Sequence, residues 1–191
     1  MAIHSPARKL TYEDFLRMPE DHFRHEILDG VHVVSPPPDV GHQKALGHIY
    51  LEISLYLREC PLGEVYFAPL GVRLADHDVV QPDLVYVSND KFSRITKRYV
   101  SGAPDLVAEV LSPSTRRNDL GKKRARYELF GVEEYWVLDR EQRTAMVFRR
   151  QGSGFLPPIV LSAEAGDRLT TPLLPGLEIP LDDVFRYSKS G

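Results

Sequence analysis

Two carboxylates stand out by where they occur: Asp83 in "VVQPDLVYV" and Glu109 in "DLVAEVL", both within otherwise aliphatic stretches. Alternation along an extended chain puts Asp83 on the side of Val85 and Val87, and Glu109 on the side of Val107 and Leu111. An ionised carboxylate among such neighbours is unfavourable by several kcal/mol unless a metal or another cation compensates it. A lysine is at hand in "DLGKKRARYELF", where about 100° per residue puts Leu120, Lys123, Tyr127 and Phe130 on one helical face and turns Lys122 away. Lys123 can then reach back over the C-terminal end of the Glu109 segment. Two acids and a lysine that converge suit metal-assisted phosphodiester hydrolysis. The carboxylates hold Mg²⁺, the ion lowers the pKa of a bound water, and the lysine stabilises developing negative charge or orients the water. The alternatives are acids solvated at strand ends and a lysine that snorkels to solvent.

These residues need elements to carry them. "LTYEDFLRM" reads as a short helix capped by Thr11 with Asp14 three residues on. "FRHEILDGVHVVSPPP" reads as a hairpin about Asp29-Gly30, closed by its prolines. From Asp39 to about Glu59, the residues Leu46, Ile49, Ile53, Tyr56 and Leu57 share one helical face, which His42 extends towards the N-terminus. "CPLGEVYFAPLGVRLADHDVVQPDLVYVS" then reads as strand, turn, strand, with the turn at Asp76 to Asp78. "APDLVAEVLS" suits a strand covered on both faces, broken by Ser112 to Thr115. A helix follows from about Asn118 to Phe130, stopped by Gly131. "EYWVLD" and "TAMVFRR" give two strands across a short polar turn, and a last strand falls near Pro158 to Ser162 before a proline-interrupted finish. Tyr127, Tyr135 and Trp136 read as core. The order of elements predicts a mixed β-sheet flanked by helices, α/β or α+β, in one domain over residues 1–191.

Composition narrows the class. With 191 residues and no run of about 18 apolar ones, the chain reads as globular, with no membrane span, and MAIHSPARKL lacks the apolar stretch of a signal peptide. The expectation is a cytoplasmic protein. The single cysteine, Cys60, excludes an internal disulfide and a cysteine-based zinc cluster, and reads as a partly buried thiol. A net charge of −3 argues against a nucleic-acid partner, yet the cations cluster. Lys91, Arg94, Lys97 and Arg98 lie close together. Arg116, Arg117, Lys122, Lys123, Arg124 and Arg126 follow with only Asp119 between them. This is either a phosphate-binding surface or a pair of solvated charged faces.

Over nearly its whole length, in "LTYEDFLRMPED", "HEILDGVHVVSPPP", "GHQKALGHI", "QPDLVYV", "PDLVAEVLSPST", "DLGKKRARY", "GVEEYWVLD" and "PGLEIPLDDVF", the chain resembles the Uma family of restriction endonuclease-like proteins, a branch of the PD-(D/E)XK nuclease superfamily. The resemblance implies a restriction-endonuclease-like mixed sheet with flanking helices and a Mg²⁺ site, with Mn²⁺ as a substitute, at Asp83 and Glu109. The chain departs from the superfamily pattern where Leu111 takes the place of the lysine expected two residues after the glutamate. Lys123 is the position matching a lysine moved to the next helix. The same comparison points to Glu26 of "HEILDG" and His42 of "GHQKALGH" as further cleft residues, with Glu26 as a metal or water contact. Their alternatives are a Glu26 that pairs with an arginine and a His42 that is a satisfied core residue. Asp119, four residues before Lys123, is a cap or a partner for that lysine.

The reading that follows is a Mg²⁺-dependent DNA endonuclease that contacts backbone phosphates, shows no sequence-reading motif, and forms a homodimer if it cuts two strands. Two other classes stand against it. One is a nuclease-fold protein that binds nucleic acid or a protein partner without cutting. The other is a two-carboxylate hydrolase such as a glycosidase, which the inward lysine and basic surroundings disfavour.

Overall fold

The computed structural model describes residues 8–186. Part of the MAIHSPARKL segment lies outside them. The chain runs α1 (Tyr12–Phe15), β1 (Arg24–Leu28), β2 (Val31–Ser35), α2 (Val40–Glu59), β3 (Gly63–Phe67), β4 (Gly71–Ala75), β5 (Asp78–Val80), β6 (Leu84–Ser88), β7 (Tyr99–Ser101) and β8 (Leu106–Val110). A π-helical stretch, Asn118–Lys123, leads into α3 (Arg124–Phe130). Then come β9 (Glu134–Asp139), β10 (Thr144–Gln151), β11 (Gly154–Phe155), β12 (Ile159–Ser162), β13 (Arg168–Leu169), β14 (Ile179–Pro180) and α4 (Leu181–Val184).

The local chemistry explains most of the boundaries. Thr11 accepts from the Asp14 amide while Asp14 answers the Thr11 amide, a complete capping box on α1. Asp39 caps α2 by accepting from the His42 amide. The β1–β2 turn holds Asp29 and Gly30 at φ 54° and 77°, the left-handed pair that lets a two-residue loop follow the strand twist.

The central sheet has the order β11-β10-β9-β8-β6-β3, with β12 beside β10. The β8–β9 pair is parallel and its neighbours antiparallel, so the sheet is mixed, as expected. A second sheet, β2-β1-β5-β4-β7, lies apart from it. Alternate residues of the central strands feed two apolar layers. Leu84, Tyr86, Ala108, Val110 and Trp136 pack with Ile49 and Ile53 of α2, whereas Val85, Val87, Val107, Tyr135 and Val137 pack with Tyr127 of α3 and Val72 and Val80 of the second sheet. β8 is buried at all five positions, as a strand covered on both faces must be.

Two expectations need correction, and one short strand falls where the sequence reading named no element. The segment read as strand, turn, strand before Ser88 is four strands divided between the two sheets. Pro69 and Pro82 cannot donate to a ladder, and each stands where the chain leaves one sheet for the other. The basic stretch before Ser101 holds a three-residue strand, β7, too short to show a period. Cys60 is exposed rather than partly buried, because it follows the last turn of α2 where the chain bends into Pro61. No helix among the described residues is long and apolar enough to cross a membrane.

Candidate active site

The antiparallel register of β6 and β8 pairs Leu84 with Ala108 and Val85 with Val107, and continuing it one step sets Asp83 opposite Glu109. The two acids are also tied through the backbone. The Val110 amide donates to Asp83 Oδ2 at 2.8 Å, and the Asp83 amide lies 3.4 Å from Glu109 Oε2. Both side chains face the layer shared with α3 and the second sheet, and each residue is 1% exposed.

Three other elements bring their groups to this pair. From the helix after β8, Lys123 sends Nζ to Glu109 Oε1 at 2.9 Å and to Glu26 Oε1 at 2.9 Å, with Asp119 Oδ1 at 3.6 Å. Leu111, where a strand lysine would stand, is packed in the apolar layer, and the helical lysine reaches Glu109 from above. Tyr127, one turn on, donates its hydroxyl to the same Glu109 oxygen at 2.9 Å. From β1, Glu26 also accepts from the Gln81 amide at 2.8 Å, and Arg24, two residues earlier on the same face, donates from Nη2 to Asp83 Oδ1 at 2.6 Å. From the first turn of α2, His42 Nε2 donates to Asp83 Oδ2 at 3.0 Å, while its buried Nδ1 has no partner. Asp83, Glu109, Lys123, Glu26 and His42 thus meet in one cluster.

Asp83, Glu109 and His42, with Arg24, line a cavity of about 200 Å³ that Lys123 and Glu26 do not reach, and its rim is formed by Pro36, Pro37 and Pro38 on one side and the Ser112–Thr115 loop on the other. A larger cavity of about 620 Å³ between the β1–β2 turn and α3 is lined by none of the five residues.

The electrostatics are lopsided. Among the described residues, Asp83, Glu109, Glu26 and Asp119 face only Lys123 and Arg24 as fixed cations. Burial opposes the charge on Lys123, but Glu109, Glu26 and Asp119 outweigh it and raise its pKa, so the ammonium is retained. Arg24 is raised in the same way, against burial, by Asp83, Glu109 and Glu26. Burial would raise Asp83 as well, yet the His42 hydrogen bond and the Arg24 charge hold it below the ordinary aspartate value. Glu109 and Asp119 differ from it, because burial raises both against Lys123, and Glu109 is pushed up to about 8 with help from the neighbouring Asp83. With Lys123 shared among three acids, burial favours the protonated form of Glu109 when no further cation is present.

Arg24 and Tyr127 are the contributions that the sequence did not assign to the site. Tyr127 was visible on the Lys123 face and read as core, which its ring is, with full burial. Its hydroxyl is what joins the site. Arg24 shares the β1 face with Glu26, and that alternation is the signal that could have found it. Asp119 pairs with Lys123 and makes no cap, since the helix start has no side-chain cap bond. Glu26 pairs with the lysine and, among the described residues, with no arginine within ion-pair distance.

Several cations of the basic stretches already have partners. Lys91 lies 2.9 Å from Asp105, Arg116 2.5 Å from Asp139, and Arg126 2.9 Å from Asp29. Arg94 donates to the Ala103 carbonyl. Arg117, Lys122 and Arg124 are exposed, with Lys122 on the lining of the larger cavity and the Arg124 guanidinium over the Phe148 ring.

Among the described residues no group of three or more His, Cys, Asp or Glu side chains is set to hold a metal ion. The pair nonetheless fits one. Arg24 Nη2 contacts Asp83 while Nη1 lies 3.8 Å from Glu109 Oε2, so the two carboxylates converge on a single cation of the chain's own. Mg²⁺ is commonly held by one or two carboxylates, the rest of its shell being water and phosphate oxygen.

A family model described as "Uma2: Putative restriction endonuclease" matches residues 12–182. Among solved structures, the chain is similar to one described as a "putative nuclease belonging to DUF820" from Anabaena variabilis, with a TM-score of 0.79 and 21% identity, over 94% of this chain and 99% of that one. At that identity the likeness is one of fold. No curated protein matches the chain.

Proposed function

The chain belongs to the Uma2 restriction endonuclease family, and from that membership we propose that it is a divalent-metal-dependent endonuclease that hydrolyses DNA phosphodiester bonds at Asp83 and Glu109. The observation that carries the proposal is the single guanidinium contacted by both buried carboxylates, which makes them a ready pair for one cation. Asp83 and Glu109 would hold the ion. Its chemistry when bound is to lower the pKa of a water and to neutralise charge on the phosphate.

The chain's own groups do the rest. His42 and the Val110 amide fix Asp83 by occupying Oδ2, which leaves Oδ1 towards the cavity. Lys123 and Tyr127 fix Glu109 through Oε1, which leaves Oε2 towards Asp83. Lys123 keeps its charge beside the reacting centre, where it favours the developing negative charge of the transition state. Glu26 and Asp119 hold that ammonium in place. At the rim, Ser112, Ser114 and Thr115 are linked hydroxyl to hydroxyl at 3.0 Å and offer donors to a phosphate. Next to the rim loop, exposed Arg117 adds positive charge for backbone contacts, with Arg116 still 47% exposed despite its partner.

Cleavage of supercoiled and single-stranded DNA with Mg²⁺ or Mn²⁺ tests the proposal against Glu109→Ala and Lys123→Ala. Metal-dependent nicking should fall by about 10²-fold or more in both variants, the scale of a lost electrostatic contact in a catalytic site. Equal activity in all three preparations would mean a contaminating nuclease. One observation favours the second reading, a nuclease fold that binds without cutting: Arg24 already neutralises part of the pair. Absence of both cleavage and ion binding in the wild type would select that reading.

A further inference from the structure

Asp83 and Glu109 have four carboxylate oxygens, and three sets of contacts divide them. Asp83 Oδ2 is taken by His42 and the Val110 amide, and Glu109 Oε1 by Lys123 and Tyr127. The remaining two, Asp83 Oδ1 and Glu109 Oε2, are the ones Arg24 spans at 2.6 and 3.8 Å, with Glu109 Oε2 also accepting a long 3.4 Å bond from the Asp83 amide. They are also the oxygens left for a divalent ion. Arg24 and the ion therefore want the same lone pairs, and a guanidinium held against both oxygens would place its charge against an incoming dication.

The two cations of the cluster differ in how they are held. Lys123 is 2% exposed at its side chain and enclosed by three acids, whereas Arg24 is 15% exposed and borders two cavities. One is the site cavity. The other, of about 230 Å³, lies on the far side of Arg24 and is lined by Asp21, His22, Phe23 and Gln43 along with the same three prolines. A long side chain at the first residue of β1 has room on either side of it, and its planar fork is the side chain best matched to phosphate oxygens.

We propose that Arg24 is an internal stand-in for the metal: it bridges Asp83 and Glu109 while no ion is bound, leaves Asp83 Oδ1 when the ion arrives, and then takes a non-bridging oxygen of the substrate phosphate at the cavity mouth. This rests on the metal reading of the Asp83–Glu109 pair. It makes Arg24 a phosphate ligand and sets the ion affinity of the protein below that of its two carboxylates alone.

The test is Mn²⁺ binding by calorimetry for the wild type, Arg24→Gln and Asp83→Asn, followed by binding of thymidine 5′-monophosphate at saturating Mn²⁺. Arg24→Gln should bind Mn²⁺ about tenfold or more tightly than wild type, since one opposing charge is gone from within a few ångströms. It should also bind the nucleotide several-fold more weakly. Opposite signs for the two ligands are what a loosened site cannot produce. Arg24→Gln binding Mn²⁺ no more tightly than wild type, with Asp83→Asn losing the ion, overturns the role of Arg24 and leaves the metal pair standing. No Mn²⁺ binding by wild type or Arg24→Gln overturns both. A wild-type crystal structure with Mn²⁺ decides independently of any variant's folding. Arg24 displaced from Asp83 Oδ1 is the expected result, and Mn²⁺ on Asp83 with that hydrogen bond intact refutes the proposal.

Discussion

Glu109 lies in a fully buried strand because a lysine, a tyrosine hydroxyl and a backbone amide surround its carboxylate, yet they do not hold its charge completely. Its carboxyl is moved from 4.5 to about 8, first by burial and then by Asp83 and Asp119, with Lys123 pulling the other way. The sign of the stability effect follows. Between about 4.5 and 8 the folded metal-free protein keeps a proton that the unfolded chain has released, so this group's contribution to stability is full below that window and falls as pH rises through it. Glu109→Gln copies the protonated form and does not titrate. Its stability relative to wild type should rise from about pH 5 to about pH 8 in urea denaturation with chelator present. Parallel stabilities at the two pH values would mean that Glu109 is ionised throughout. Tyr127 and Tyr135 do not enter this balance, since burial raises both phenols well above their ordinary value and keeps them as donors.

At the scale of elements, the site depends on the β1–β2 hairpin and on the helix after β8, and one glycine in each tests them in opposite directions. Gly30 has φ +77°, and a Cβ there would meet Lys9 Cβ at 2.4 Å and Lys9 Cα at 2.9 Å. Gly30→Ala therefore has to strain the turn and shift the chain at Lys9, and should lose about 1–3 kcal/mol. Because β1 carries Arg24 and Glu26, cleavage should suffer with it. Gly121 lies in the π-helical stretch, with an ordinary φ and nothing within 4 Å of where a Cβ would stand. Gly121→Ala should instead gain up to about 1 kcal/mol through reduced freedom of the unfolded chain, with cleavage unchanged. Denaturation midpoints for the two variants give both signs. The π-helical turn itself falls where Asp119 and Lys123 enter the site, a placement common for such turns.

The whole molecule stores a charge imbalance at the layer between the central sheet, α3 and the second sheet. Four buried acids face two fixed cations there, so an added dication should act as a structural ligand as well as a catalytic one. At a free Mg²⁺ concentration about a hundredfold above its dissociation constant, linkage predicts a gain of about 2.7 kcal/mol in apparent stability. For a chain of this length that raises Tm by several degrees. A thermal melt with Mg²⁺ against one with chelator checks it, and Asp83→Asn should remove the difference. A screened surface effect would be reproduced by monovalent salt at equal ionic strength.

The sequence by itself determined most of the elements and the two acids, but not the division of residues 63–88 into four strands of two sheets. Alternation in "VVQPDLVYV" and "DLVAEVL" is a property of neighbouring residues, so it marks Asp83 and Glu109 as inward before any fold is known. The helical face of Lys123 and the Asp29-Gly30 turn are equally local. The order of elements gave the mixed sheet with its flanking helices, the family resemblance gave its restriction-endonuclease-like form, and residues 12–182 match that family. What the tertiary structure decided is which charges meet. Arg24 and Asp83 are 59 residues apart, and His42 and Asp83 are 41 apart. Pairing of β1 with β5, just ahead of Asp83, closes the first separation, and packing of α2 on the central sheet closes the second. No local period encodes a contact between strands of different sheets, because it arises only when both have packed against the same core. For the same reason Lys91 and Arg126 stand among the candidate phosphate contacts in the sequence and are found in ion pairs with Asp105 and Asp78.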